Sequence, residues 1–177
     1  MNKTIKIYEK LYKDYEKNKP LGIDYPTEAL VIFVSNLRKN KKNYFADYNN
    51  EKSIKKNFKG KALEIGFGSI ANLKMLQEKG FECFGSEVSL EAIRRAKKFS
   101  KNIKFKTMKN SKLNYPKNEF DLIVGLQCVY YNLDFRKFIE EEVFKILKPS
   151  GKFIFSFFAK EHSYQNYIEK NSEGISQ

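Results

Sequence analysis

Lys61-Ala62-Leu63-Glu64-Ile65-Gly66-Phe67-Gly68 decides the fold. A short apolar run, Ala62 to Ile65, reads as a strand that ends in a glycine turn. Residues 70–79 (IANLKMLQEK) follow with helical period and stop at Gly80, a natural residue just past a helix end. The same grammar then repeats. Phe81 to Ser86 is a second strand ending at Glu87, and Ser89 caps a helix whose apolar face is Leu90, Ile93, Ala96 and Phe99. Ile103 to Lys106 is a short third strand, residues 107–119 a loop, and Phe120 to Gly125 a fourth strand. Asp134 caps a helix with Phe135, Phe138, Ile139, Val143, Ile146 and Leu147 on one face. Lys148-Pro149-Ser150-Gly151 ends it, and Phe153 to Phe158 is a fifth strand, apolar on both faces. Strands alternating with helices at these lengths predict βαβ units and a parallel sheet. Near-continuous apolar strands agree, because parallel strands are buried on both faces. The Glu140-Glu141-Glu142 triplet reads as the solvated face of its helix.

Ahead of this core, residues 1–60 read as helical without a strand. Ile5, Tyr8, Leu11, Tyr12 and Tyr15 recur at helical spacing, and Lys19-Pro20-Leu21-Gly22 breaks the pattern. Pro26 opens a second helix carrying Ala29, Leu30, Ile32, Phe33, Val34 and Leu37. The expected organisation is a helical cap (1–60), an α/β core (61–159) and a polar tail (160–177).

Composition narrows the function. A chain of 177 residues, 41% hydrophobic and 31% charged, has material for one globular core. No apolar run approaches the ~18–20 residues of a membrane span, and the N-terminus lacks a secretion signal. Cys83, Cys128 and a single histidine, His162, make neither a disulfide framework nor a metal site, so a cytoplasmic protein is expected. The net charge of +13 raises a nucleic-acid partner. Only four of the 34 basic residues are arginines, however (Arg38, Arg94, Arg95 and Arg136). The excess is also spread, +7 over residues 1–60 and +7 over 61–159, which fits generic basicity better than a dedicated surface.

The chemistry sits at Glu64, Gly66, Gly68 and Glu87. Glycines between a strand and a helix let backbone approach a ligand closely, and the helix start beyond them presents free amides. A carboxylate ending the next strand can accept both hydroxyls of a ribose. These residues describe a nucleoside-ligand pocket at the C-terminal ends of the strands. Gly66-Phe67-Gly68-Ser69-Ile70-Ala71 also satisfies G-x-G-x-x-A, with Glu87 about 20 residues on, as a dinucleotide fingerprint requires. That reading explains neither Glu64 nor the first 60 residues, and it leaves no room for a dehydrogenase substrate domain.

Four segments together resemble a family. ALEIGFG (62–68), FECFGSEVSLEAIRRAKK (81–98), NEFDLIVGLQCVYY (118–131) and ILKPSGKFIFS (146–156) are similar, in order and spacing, to a class I S-adenosylmethionine-dependent methyltransferase of the small-molecule type. The resemblance implies a Rossmann-like α/β fold, a mostly parallel five-strand sheet in the order 3-2-1-4-5 with helices on both faces. It also implies S-adenosylmethionine as cofactor and S-adenosylhomocysteine as product. Glu64, Gly66 and Gly68 would hold the methionine end, with Phe67 in the same turn. Glu87 would bind the ribose hydroxyls, Val88 would pack on the adenine, and Met108-Lys109 would flank its edge. Gln127 would lie near the sulfonium. Tyr12 or Tyr15, on the cap, could close over the cofactor carboxylate, and Tyr130 and Tyr131 would line the acceptor pocket. Two positions depart from the pattern. Ile70 stands where a third glycine is common, and Lys109 stands where an acidic residue usually meets the adenine amino group, a bond that lysine cannot accept.

A small-molecule acceptor is expected, with no metal, no membrane and no catalytic base that the sequence names. The alternatives are an RNA or protein methyltransferase, prompted by the charge, and a non-catalytic nucleoside-binding or scaffold protein, prompted by Lys109. The antiparallel pair that completes the family's sheet is missing after the fifth strand. FIFSFF would then form a bare apolar edge, so the chain is expected to be a fragment, with a covering partner as the alternative.

Overall fold

The computed structural model describes residues 6, 9, 10, 13, 25–39, 60–109, 111–131 and 134–157. Tyr12, Tyr15, the stretch 40–59, Phe158 and the tail 160–177 with His162 lie outside the described residues. Five strands build one sheet: β1 (Lys61–Ile65), β2 (Glu82–Glu87), β3 (Lys104–Thr107), β4 (Phe120–Gly125) and β5 (Leu147–Phe155). Their order is β3-β2-β1-β4-β5, and every adjacent pair runs parallel. The Rossmann-like order expected from the sequence is the one observed.

Side-chain alternation explains the layers. Along β1, Ala62 turns to one face and Leu63 and Ile65 to the other. The first face packs against α1 (Glu28–Lys39), α2 (Ala71–Glu78) and α3 (Leu90–Phe99), through Leu30, Val34, Leu73, Leu76, Ile93 and Ala96. The second face receives Phe138, Val143 and Ile146. These come from α4 (Phe135–Phe138), a π-helical turn (Ile139–Val143) and α5 (Phe144–Ile146). The π turn explains how Phe138 and Val143, five residues apart, reach one cluster.

Phe120 is fully buried on that second face, with Phe84 and Tyr115 edge-on at 5.2 and 5.0 Å between ring centroids. Edge-to-face pairs add about 0.5–1.5 kcal/mol each beyond burial. Tyr115 also bonds Ser86 Oγ at 3.1 Å, so the loop after β3 is held against the end of β2, beside the expected pocket.

Several expectations are corrected. Leu90 and Phe99 are exposed, at 62% and 41%, because the core contacts of α3 come from Ala92, Ile93 and Ala96. Phe135 is likewise exposed, and so is Ile32 on α1. The third strand begins one residue later than expected, at Lys104. Residues 148–151 do not simply end a helix. They interrupt the β4–β5 register, which jumps from Phe120↔Leu147 to Leu122↔Lys152, and Ser150 takes φ +67° there. Glu142 is not on a solvated face. It is buried, with Oε2 accepting the Leu113 amide at 2.7 Å and Oε1 accepting Lys112 Nζ at 2.9 Å. The π turn carries it inward, where it ties the loop after β3 to the helix.

Glu142→Ala is therefore expected to destabilise the fold by about 1–3 kcal/mol, the cost of leaving a buried amide unpaired. Glu140→Ala and Glu141→Ala, both at exposed positions, should stay within about 0.5 kcal/mol. Urea denaturation of the three variants checks this, and equal effects at all three would refute the buried role.

Candidate functional site

The C-terminal ends of β1, β2 and β4 meet around the first glycine turn. Gly66 has φ +62° and Gly68 φ +48°, conformations that side chains disfavour. A Cβ on Gly66 would stand 2.6 Å from Cys128 Cβ, so only glycine lets β1 pass this close to the loop after β4. The Gly66 amide donates to Ser86 O at 2.7 Å, and Cys128 Sγ donates to Ile65 O at 3.0 Å. Burial pushes the Cys128 thiol well above its ordinary range, helped by the Glu64 and Glu87 charges. Cys128 thus fills the space beside Gly66, with its thiol engaged by Ile65 O.

Glu64 and Glu87 are both buried but differently served. Oε1 of Glu87 accepts the Val88 and Ser89 amides at 2.7 and 3.2 Å, and its Oε2 accepts the Gly68 amide at 3.3 Å. Burial still raises its pKa, against the three amides that lower it. Glu64 has one partner: its Oε1 accepts Asn72 Nδ2 at 2.7 Å. Its Oε2 is buried with no hydrogen-bond partner among the described residues. Burial pushes Glu64 up to about 8, with the Asn72 hydrogen bond opposing and the Glu87 charge adding. A carboxylate oxygen left bare inside a protein suits a cation or a donor from a ligand.

The other expected residues that are described follow the ends of β1 to β4. Phe67 turns its ring into the core, 5.1 Å from Phe105, so only its backbone belongs to the turn. Val88 is half-buried, and the Met108 amide donates to Glu87 O at 2.9 Å, which sets Met108 beside Glu87. Lys109 is exposed and bridges antiparallel to Lys112. Gln127 is exposed at φ +55°, with its amide donating to Ser156 Oγ at 2.7 Å. Tyr130 and Tyr131 lie 4.6 Å apart in a 3-10 turn, and Phe157 contacts Tyr130 and Phe135 at 6.1 and 4.7 Å. Tyr12 and Tyr15 lie outside the described residues. Glu9, which is described, accepts the Leu90 amide at 2.7 Å beside Ser89. Among the described residues, no group of three or more His, Cys, Asp or Glu could hold a metal ion, and no helix is long and apolar enough to cross a membrane.

Sequence reading missed Asn72 and Ser156. Asn72 carried one signal, a polar residue on the buried side of an otherwise apolar helix. Ser156 carried none.

Comparison with known proteins identifies the family and the fold. A family model described as a methyltransferase domain matches residues 63–155. No curated protein matches. Among solved structures, a chain in the complex between the Haloferax volcanii Trm112 methyltransferase activator and the methyltransferase is 24% identical. It has a TM-score of 0.55, over 61% of this chain and 51% of that one. A Methanosarcina mazei protein described as a SAM-dependent methyltransferase is 24% identical with a TM-score of 0.54, covering 65% of this chain and 60% of its own. A structure described by the conversion of a disulfide bond into a thioacetal group during echinomycin biosynthesis is 15% identical. It covers 92% of this chain and 64% of that one, with a TM-score of 0.67. At such identities the likeness is one of fold. The chain spans about half the length of the first of these structures.

Glu64 gives the site a pH signature. Its ordinary value is 4.5 and its folded value about 8, so the folded state holds a proton that the unfolded state releases earlier. Its contribution to stability is present below about 4.5 and is lost as pH rises through about 8. The ligand-free protein should melt at progressively lower temperature between those limits, and Glu64→Gln should make that slope shallower. Calorimetric melting across this range checks it. A slope unchanged by the substitution would remove Glu64 as its source.

Proposed function

This chain belongs to the methyltransferase domain family, of the class I S-adenosylmethionine-dependent kind, and from that premise we propose that its strand ends bind S-adenosylmethionine and direct the methyl group to a small acceptor. The observation that carries the binding reading is the bare Oε2 of Glu64 beside a glycine turn. The cofactor's methionine end offers an ammonium, the cation this buried oxygen lacks. Gly66 and Gly68 leave room for the chain of the methionine. Glu87 takes the ribose hydroxyls, chiefly through Oε2, whose single amide contact is the longest of the three. Val88 and Met108 flank the adenine. Lys109 cannot accept from the adenine amino group, so main-chain carbonyls beside it take that role.

When bound, the cofactor supplies a methyl group on a cationic sulfur, an electrophile that needs alignment more than activation. The protein's part is then to position and to exclude water. Gln127, held in a left-handed conformation by Ser156, sets the end of β4 at the transfer point. Residues in such conformations cluster at working sites. The acceptor enters over Tyr130, Tyr131, Phe135 and Phe157, four rings that meet at the rim of β4 and β5. A rim of ring contacts suits an apolar or aromatic small molecule better than the phosphates of RNA, which call for clustered cations. In this reading residues 61–159 are the catalytic core and residues 1–60 cap it.

Titration calorimetry with S-adenosylhomocysteine, with NAD as control, tests the reading. Micromolar binding of the first and none of the second is expected. Glu87→Gln, which keeps an oxygen for the Val88 and Ser89 amides, should weaken binding by about 1.5–3 kcal/mol, the scale of hydrogen bonds to a charged group. Unchanged affinity in a folded variant would overturn the ribose assignment, and tighter binding of NAD would overturn the cofactor.

A further inference from the structure

Asn72 joins two parts of the chain that share no other polar link among those described. Its Nδ2 donates to Glu64 Oε1 at 2.7 Å, and its Oδ1 accepts the Thr27 amide at 2.7 Å. Thr27 stands immediately before α1, and its carbonyl accepts the Leu30 and Val31 amides at 2.9 and 3.1 Å. Asn72 is therefore a strut between the bare carboxylate at the end of β1 and the first turn of α1. The strut has one sense only. A carboxylate must receive from the NH2 half of the amide, and a backbone N–H must give to its oxygen.

The position is unusual for this residue type. Asn72 lies in α2, where Ala71, Leu73, Met75 and Leu76 are buried apolar residues, and it is itself only 9% exposed. Asparagine is a poor helix-interior residue because its side chain competes for backbone groups. A leucine here would pack with its neighbours and would bury no amide. What asparagine adds is the pair of directed bonds.

We propose that Asn72 is a positioning residue that holds Glu64 by one oxygen, leaves the other for the ammonium of the bound cofactor, and passes the occupation of that site to the seating of α1. The inference rests on the cofactor reading given above. Its physics is local. A cation at Oε2 keeps Glu64 ionised, and a hydrogen bond to an ionised acceptor is stronger than one to a neutral acid. Donation from Nδ2 to a full charge polarises the amide, which makes Oδ1 a better acceptor for the Thr27 amide. Linkage then runs both ways: ligand tightens α1, and a well-seated α1 favours ligand by the same factor.

Hydrogen exchange at the Thr27 amide, followed by NMR on the whole chain, reads the strut directly and does not depend on turnover. Saturating S-adenosylhomocysteine should raise Thr27 protection about fivefold or more, the lower end of ordinary coupling. Asn72→Leu, close to asparagine in size, should abolish that response and weaken ligand binding about tenfold. Wild-type affinity in a folded Asn72→Leu protein would overturn the positioning role. Ligand binding that leaves Thr27 protection unchanged in the wild-type protein would overturn the coupling, whether or not the variant folds. A wild-type protein that binds no S-adenosylhomocysteine would instead overturn the cofactor reading, and the inference with it.

Discussion

A carboxylate closed inside the core, with one oxygen paired and the other bare, constrains everything at the end of β1. Removing water from a carboxylate is costly unless donors or a cation replace it. Asn72 replaces part of that water at Glu64 Oε1, and none of the described residues replaces it at Oε2. The group answers by holding its proton, which is the meaning of a pKa pushed up to about 8. The surrounding backbone cannot relax to relieve it. Gly66 is pinned to Ser86 on one side and pressed by Cys128 on the other, while the Cys128 thiol is itself tied to Ile65. Three strand ends are locked around one underserved oxygen.

Glu87 shows the opposite solution on the neighbouring strand, two residues past the Gly85 that pairs with Glu64. Three amides, from Gly68, Val88 and Ser89, face its two oxygens. It acts as a clasp that ties the glycine turn after β1 to the end of β2, and it remains able to accept from a ligand. Two buried carboxylates with contrasting environments do different work. One wants a positive charge, and the other suits hydroxyl donors. In the function proposed for this chain, the methionine end of the cofactor would meet the first demand and its ribose the second.

The parts of this arrangement that sequence made legible are those set by local chemistry. Strands β1, β2 and β4 were readable because parallel strands are apolar throughout and end at glycine or at an acid. The placing of Glu64, Gly66, Gly68 and Glu87 at the strand ends was readable because a tight turn from strand to helix calls for glycine and an apolar strand makes an acid stand out. What escaped depends on partners far away in the chain. Glu142 looked solvated because helical period was assumed, whereas a π turn rotates it toward Leu113, 29 residues back. Asn72 drew no notice in the sequence because its partners lie 8 residues before it and 45 residues before it. The jump in register along β5 is likewise a property of its pairing with β4 and not of the residues 148–151 alone.

The two sheet edges extend the same reasoning to the acceptor. On β3, Lys104 and Lys106 alternate along the edge, each engaged in place, with Glu82 and with Asn114 O. Charges of this kind discourage pairing with another chain. Along β5 the corresponding side chains are Phe153 and Phe155, with rings stacked 4.9 Å apart, and Phe157 follows. Phe155 and Phe157 keep 46% and 42% of their surface exposed among the described residues. Phe157 gathers Tyr130 and Phe135 at the strand ends, on the side where β4 and β5 border the proposed transfer point. In the proposed function, apolar surface that is a hazard along an edge becomes useful for holding a small apolar acceptor. Alignment demands such holding in methyl transfer, because the electrophile arrives already activated. On that proposal the rim is free to vary with the acceptor, while the turn at Gly66 and the two carboxylates are held fixed by the cofactor they would share.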